Sequence, residues 1–342
     1  MEHYLRNCWY MAGWSEEIGE AGLVREILGQ RLFLYRLSDG RPAAIRDRCP
    51  HRFAPLSLGS RDGDLVVCPY HGLKFAADGR CVHNPFSDKV PAGTTIPAFA
   101  AVEAHDAIWL WGGDPAEADP ALIPDFSFVP DTPVQRSIRG YTLMKANFEY
   151  GTDNLLDLSH IEWVHKGTFA GDGVIFAGKH SVRQDGNTLH SDWWMPNVPT
   201  PSVAQGLVPE GQTVDHWLRM RWNAPASMRL DVGATPHGAP EAHGFDIPQA
   251  HILTPANAHE AHYFWTASRN HDLESKEADA YMLDLFRQAF DEEDKPLIEA
   301  AYANVRGKDF WAEKPVSLGV DQGGTRARRL LESMIAKEAV SG

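Results

Sequence analysis

Across residues 1–115 the hydrophobic positions come in short runs separated by turn formers. Leu32-Phe33-Leu34-Tyr35, Leu65-Val66-Val67 and Ala107-Ile108-Trp109-Leu110-Trp111 are rich in aromatic and β-branched residues, with Gly, Asp and Pro between them. That pattern predicts short β-strands. Ser38-Asp39-Gly40 and Ala77-Asp78-Gly79 predict hairpin turns. Residues 116–128 carry Asp119-Pro120 and Ile123-Pro124-Asp125 and read as a linker. From 129 to 342 the pattern is mixed: helices are predicted near 147–164, 275–305 and 323–338, and strands near 180–193, 214–222, 228–233, 248–254 and 261–268. Such a mixture suits an α+β domain with an antiparallel sheet. Two stretches, 167–178 and 194–213, are dense in Gly with Phe or in Pro with Gly. They predict long loops, of the kind that can cover a pocket as lids.

Composition narrows the class. With 342 residues there is room for two domains, and 43% hydrophobic and 23% charged residues describe an ordinary globular chain. The net charge of −14, from 46 acidic and 32 basic residues, argues against nucleic acid and against anionic membrane surfaces as partners. No run approaches the roughly 18 apolar residues of a membrane-spanning helix. Residues 1–7 have no apolar core of a secretion signal, so a cytoplasmic location is expected.

Candidate chemistry concentrates in two mixed clusters. Cys49-Pro50-His51-Arg52 and Cys68-Pro69-Tyr70-His71-Gly72 each offer one thiolate and one imidazole. A structural zinc takes a closed set of Cys and His; a Rieske [2Fe–2S] cluster takes two Cys on one iron and two His on the other. Zinc modules usually group Cys with Cys and His with His, so the mixed pairs favour the cluster. Pro and Gly in both segments fit tight loops at strand ends. The remaining Cys8 and Cys81 are expected as unpaired, buried or half-buried side chains.

A second metal site is suggested by Asp153-Asn154-Leu155-Leu156-Asp157-Leu158-Ser159-His160-Ile161-Glu162-Trp163-Val164-His165. Asp153, Asp157 and His160 share a helix face by their spacing. His165 joins His160 only if the helix ends or bulges between them. Two His and a distant carboxylate would form the facial set of a non-haem Fe(II) oxygenase, with positions open for dioxygen and substrate. Structural histidines are the other reading. For the carboxylate, Phe286, Phe290, Asp294, Leu297 and Ala301 form one stripe of a late helix. A carboxylate on an apolar stripe is costly unless paired or metal-bound. Alternatively, Asp294 caps a helix that restarts at Lys295-Pro296.

These segments resemble the oxygenase components of the Rieske non-haem iron aromatic-ring oxygenases. The resemblance runs nearly end to end, from Asn7-Cys8-Trp9-Tyr10 through both clusters, Asp153 to His165, His262-Tyr263-Phe264-Trp265 and Asp294, to Asp321-Gln322-Gly323-Gly324-Thr325-Arg326. The most similar subgroup is the vanillate and dicamba O-demethylase type. The resemblance implies an N-terminal all-β Rieske domain (1–115), a linker (116–128) and a helix-grip α+β catalytic domain (129–342). It implies that Cys49, His51, Cys68 and His71 hold the [2Fe–2S] cluster, and that His160, His165 and Asp294 hold a mononuclear Fe(II), with Asn154 beside it. It gives Asp157 a bridging role from His160 to His71 of a neighbouring subunit in a homotrimer. His251 matches a substrate-contacting position, but Leu230 stands where a polar contact of that subgroup would fall.

The function so implied is a terminal monooxygenase that uses dioxygen to O-demethylate a substituted aromatic acid. Ring hydroxylation, methyl hydroxylation of an aryl acid or sulfonate, and N-demethylation are the alternatives within that chemistry. No G-x-G-x-x-G follows a strand, so NADH electrons are expected through a separate flavin and iron–sulfur reductase. An electron carrier alone would need only the first domain. A metal-stapled ligand-binding protein is the non-enzymatic alternative.

Overall fold

The structure is a computed structural model that describes residues 4–171, 173–201, 208 and 211–341. The chain divides into two compact units. The first runs to Pro124 and takes in Thr254–Ala258 and the residues from Glu338; the second comprises Asp125–Leu253 and His259–Lys337. The break after Pro124 falls within the segment read as a linker. The two short returns to the first unit carry no signal in the sequence.

The first unit is all-β. Its strands are β1 (Trp9–Trp14), β2 (Leu23–Ile27), β3 (Gln30–Arg36), β4 (Pro42–Arg46), β5 (Ser60–Asp62), β6 (Leu65–Val67), β7 (Lys74–Phe75), β8 (Cys81–His83), β9 (Ala98–Phe99), β10 (Ala101–Ala104) and β11 (Ala107–Trp111). They form three small sheets, ordered β1-β11-β10, β2-β3-β4-β9 and β5-β6-β7-β8. β1 and β11 are buried along their whole length, which explains their unbroken apolar sequences. A second core of Phe33, Tyr35, Ile45, Leu56, Val66, Leu73, Phe75 and Ile96 closes around Cys49 and Cys68. Cys8 and Cys81 are unpaired and half-buried, as expected.

The second unit is built on a seven-stranded antiparallel sheet. Its elements in chain order are β12 (Arg136–Met144), α1 (Phe148–Leu156), α2 (Ile161–Val164), β13 (Lys179–Asp185), β14 (Thr188–Pro199), β15 (Thr213–Asn223), β16 (Ser227–Pro236), β17 (Phe245–Asn257), β18 (Glu260–Arg269), α3 (Lys276–Arg287), α4 (Lys295–Val305) and α5 (Gln322–Ser341). The sheet order is β12-β18-β17-β16-β15-β14-β13. No helix among the described residues is long and apolar enough to cross a membrane.

Three expectations need correction, and one strand was not expected. The strand predicted over 180–193 is two strands, joined by the two-residue loop Gly186-Asn187 with φ 56° at Gly186. The edge strand β12 was missed, because its Arg, Ser, Gly and Thr positions hide the pattern. Residues 194–199 belong to β14 rather than to a loop; of the rest of 194–213, residues 202–207, 209 and 210 lie outside the described residues. The helix predicted over 147–164 is broken at Asp157.

Candidate metal centres and substrate pocket

The two cluster loops have the same backbone geometry. Cys49 N–H donates to the Ala54 carbonyl at 2.9 Å and Phe53 N–H returns to the Cys49 carbonyl at 3.0 Å. Cys68 N–H donates to Leu73 at 2.8 Å and Gly72 N–H returns to Cys68 at 3.0 Å. The fourth residue after each Cys is left-handed, φ 62° at Phe53 and 71° at Gly72. Glycine takes that conformation freely, whereas Phe53 is held there with the Arg48 guanidinium 4.1 Å over its ring. Buried Asp47 locks the first loop, accepting from Ser57 N–H and Oγ at 2.7 Å each and from Arg31 Nε at 2.8 Å.

Like faces like across the loops. The two thiols adjoin, both buried, and burial pushes Cys49 up to about 11 even though backbone N–H groups of His51 and Arg52 point at its sulfur. The His51 and His71 rings meet edge to face, 4.6 Å apart, nearer the surface. His71 Nδ1 is buried and has no hydrogen-bond partner. A buried nitrogen of this kind is explained by a bound group.

In the second unit, α1 starts where Asn147 accepts from Glu149 N–H at 3.0 Å and stops at Leu156. Asp157 then caps a single tight turn, accepting from Ser159 N–H and Oγ at 3.1 and 2.6 Å. α2 ends at Val164, so His165 lies just past a helix terminus. That ending, rather than a bulge, lets His160 and His165 converge, with ring centroids 5.2 Å apart. The bulge lies elsewhere. Gln288–Asp294 form a π-turn between α3 and α4. Its extra residue shifts the buried stripe from Leu297 and Ala301, as expected, to Ile298 and Tyr302. Asp294 sits where the cap was predicted, but its side chain caps nothing and instead turns to the histidines.

Donor atoms of His160, His165 and Asp294 all lie within 4.8 Å of one another. His160 Nε2 is 3.5 Å from Asp294 Oδ1 and His165 Nε2 is 3.3 Å from Oδ2. Both Nδ1 atoms are engaged on the far side. His160 Nδ1–H donates to the Asp157 carbonyl at 2.5 Å, and His165 Nδ1–H to Glu293 Oε2 at 2.7 Å. Thr168 Oγ1 also donates to Glu293, at 2.7 Å. Asn154 Nδ2 donates to Asp294 Oδ1 at 3.2 Å. Burial lowers the pKa of His160; for His165 the carboxylates of Asp294 and Glu293 outweigh burial and raise it. Asp153, expected on the His160 face, pairs instead with Arg328 of α5 at 2.8 Å. Asp157 and His160 line a cleft with Phe310, Trp311 and Arg329.

On the other side of His160 and His165 lies an apolar cavity. Alternate residues of three adjacent strands face it: His216 and Leu218 of β15, Leu230 and Val232 of β16, Gln249 and His251 of β17. Leu155, Leu158, Ile161, Phe169, Val174, Ile175 and Phe290 complete the wall. Glu162 pins the 167–178 segment beside it, accepting from the N–H groups of Gly171, Gly173 and Ile175 at 3.1, 2.8 and 2.8 Å. His251 is buried with both nitrogens taken: Tyr263 O–H donates to Nδ1 at 2.7 Å, and Nε2–H donates to Gln249 Oε1 at 3.1 Å. Leu230, noted above as a departure from the subgroup, is directly opposite Gln249, whose side chain also lines the cavity.

Comparison with known proteins decides the family. The Rieske [2Fe-2S] domain model matches residues 8–98, and the vanillate O-demethylase oxygenase C-terminal domain model matches 144–337. The chain is 36% identical to the oxygenase component of chloroacetanilide N-alkylformylase from Rhizorhabdus wittichii, over 98% of this chain and 97% of the relative. It is also 36% identical to the oxygenase component of dicamba O-demethylase from Stenotrophomonas maltophilia, over 98% and 99%. The crystal structure of dicamba monooxygenase with non-haem iron and dicamba superposes with TM-score 0.84 at 35% identity, covering 100% of both chains. The chain belongs to the Rieske non-haem iron oxygenases.

This Rieske oxygenase therefore uses a [2Fe–2S] cluster and a non-haem iron. The orphaned His71 Nδ1, the adjoining buried thiols and the paired imidazoles suit the cluster. Two Nε2 atoms that face one carboxylate suit the iron. Sequence reasoning missed Glu293, Gln249 and His216. The acidic pair Glu293-Asp294 was the available sign for the first. Period-two alternation along β15 and β17 was the sign for the others.

Proposed function

We propose that Cys49 and Cys68 hold one iron of the cluster and His51 and His71 the other, while His160, His165 and Asp294 hold the mononuclear iron. The observation that carries this reading is the orientation of the two histidines, with both Nδ1–H groups tied away and both Nε2 lone pairs facing Asp294. When bound, the cluster delivers electrons and the iron activates dioxygen for attack on a substrate C–H bond. The residues do the rest. Asn154 fixes the angle of the Asp294 carboxylate, Glu293 and the Asp157 carbonyl fix the imidazoles, and the apolar wall excludes water from the reacting carbon.

The reaction is oxidative dealkylation of an aromatic substrate. Hydroxylating a methoxy or N-alkyl carbon consumes dioxygen, two electrons and two protons and releases water. The product then breaks its C–O or C–N bond, giving a phenol or amide and an aldehyde. The electrons come from NADH through a separate flavin and iron–sulfur reductase. Asp157, which lines an open cleft and whose carbonyl accepts from the His160 ring, is the entry point for electrons from the partner subunit's His71 in a homotrimer. The test is a panel of aryl ethers and N-alkyl anilides with a surrogate reductase, scored for aldehyde and coupled NADH loss. Ring phenol or benzylic alcohol without aldehyde would establish hydroxylation instead.

A further inference from the structure

We propose that the cavity beside His160 and His165 selects an uncharged aromatic substrate carrying a carbonyl acceptor, an anilide or aryl amide, rather than an aromatic carboxylate. This rests on the reading above that the cavity receives the substrate. Its polar surface is small and specific. His216 Nδ1–H donates to the Gly233 carbonyl at 2.8 Å, so its Nε2 is a lone-pair acceptor. Burial keeps that ring neutral by lowering its pKa to about 4. His251 spends both nitrogens on Tyr263 and Gln249. Because Gln249 turns its oxygen to His251, its NH2 is left as the donor for a ligand.

No Lys or Arg lines the cavity among the described residues. Residues 172, 202–207, 209 and 210, which lie outside the described residues, include no Lys or Arg. The charged side chains that do face the cavity, Asp294 and Glu162, are acidic. With iron bound, Asp294 and Glu293 together offset its divalent charge. A substrate carboxylate would therefore exchange water for one amide donor, an acceptor imidazole and apolar wall, with no compensating cation. Burying a charge that way is unfavourable. A carbonyl needs a single donor, and Gln249 supplies it.

Equilibrium binding of matched pairs under anaerobic conditions tests this without turnover. The pairs are a methoxybenzoate with its N-methylamide, and an acidic with a neutral N-alkoxymethyl anilide. The neutral member of each pair is expected to bind at least about tenfold more tightly. Gln249→Leu should weaken binding of the neutral member, and Leu230→Lys, which places a cation opposite position 249, should turn the preference toward the acid. Equal or tighter binding of the acids by the parent protein overturns the inference, as does unchanged amide affinity in Gln249→Leu. Tighter binding of neutral ligands that are then hydroxylated on the ring, without aldehyde, supports the inference while overturning the dealkylation reading. Binding of neither member overturns both.

Discussion

His165 and Glu293 are joined by a 2.7 Å hydrogen bond from Nδ1 to Oε2, one residue away from the carboxylate that faces Nε2 of the same ring. The π-turn makes this possible by presenting consecutive acidic residues to one imidazole, Asp294 on its metal side and Glu293 behind it. A carboxylate behind a ligand imidazole fixes the tautomer and raises its basicity. Glu293→Ala should therefore weaken iron retention roughly 10–100-fold, read as iron lost on dialysis against a chelator. The visible spectrum of the cluster should not change; a variant that keeps iron like the parent would show that the bond is dispensable.

Asp157 can be separated from the metal sites by charge alone. Its Oδ1 accepts from Ser159 and its backbone carbonyl holds His160, and an Asn would keep both contacts. Asp157→Asn is expected to bind both metals fully and to slow turnover roughly 10–100-fold. Rapid mixing should find a reduced cluster that is slow to reoxidise in the presence of dioxygen and substrate. Reoxidation at the parental rate would remove Asp157 from the electron path.

Glu162 accepts three backbone N–H groups with two oxygens. In Glu162→Gln one of those donors meets an NH2 group, a loss of about 1–3 kcal/mol for an unsatisfied buried group. The unfolding midpoint in urea should fall, and limited proteolysis should open within 167–178 before the rest of the unit. KM should rise more than kcat falls, since the segment forms part of the cavity wall.

His216 and His251 make the second unit acid-sensitive. Burial depresses their pKa values to about 4 and about 3, from 6.5. A histidine that is neutral when folded and protonates at about 6.5 when unfolded leaves the unfolded state binding more protons below that pH. Their stabilising effect is complete above pH 6.5 and is lost as pH falls toward 4, at a limiting slope of about 1.4 kcal/mol per pH unit for each residue. Urea titrations between pH 7 and 5 measure it. His216→Gln should reduce the slope by one proton; an unchanged slope would show that this ring does not carry the effect.

The parts of the molecule that were legible in the sequence are those whose physics is local. Cys49-Pro50-His51 and Cys68-Pro69-Tyr70-His71 sit on loops whose turn residues are written beside the ligands. Ser275 announces the start of α3 by accepting from Ala278 N–H. The strands β15 and β16 announce themselves by alternation of apolar and polar residues, and β18 by the run His262-Tyr263-Phe264-Trp265. What escaped depends on distant partners. Asp153 reads like a member of the His160 face until Arg328, 175 residues away, takes it. β12 reads as loop because its strand character comes from pairing with β18, not from its own side chains. The π-turn cannot be read from a stripe that assumes 3.6 residues per turn, and Leu297, exposed where it was expected buried, is the residue that betrays it.

The same turn gives the reading frame of the chain a chemical role. Between Arg287 and Lys295 each residue added or removed would rotate Asp294 about 100° around the helix axis. A point substitution at Glu292, which is exposed, leaves the count intact, whereas its deletion would swing the carboxylate off both imidazoles with every ligand still encoded. In this segment, then, length carries information in its own right: the helix can change its letters more safely than its number.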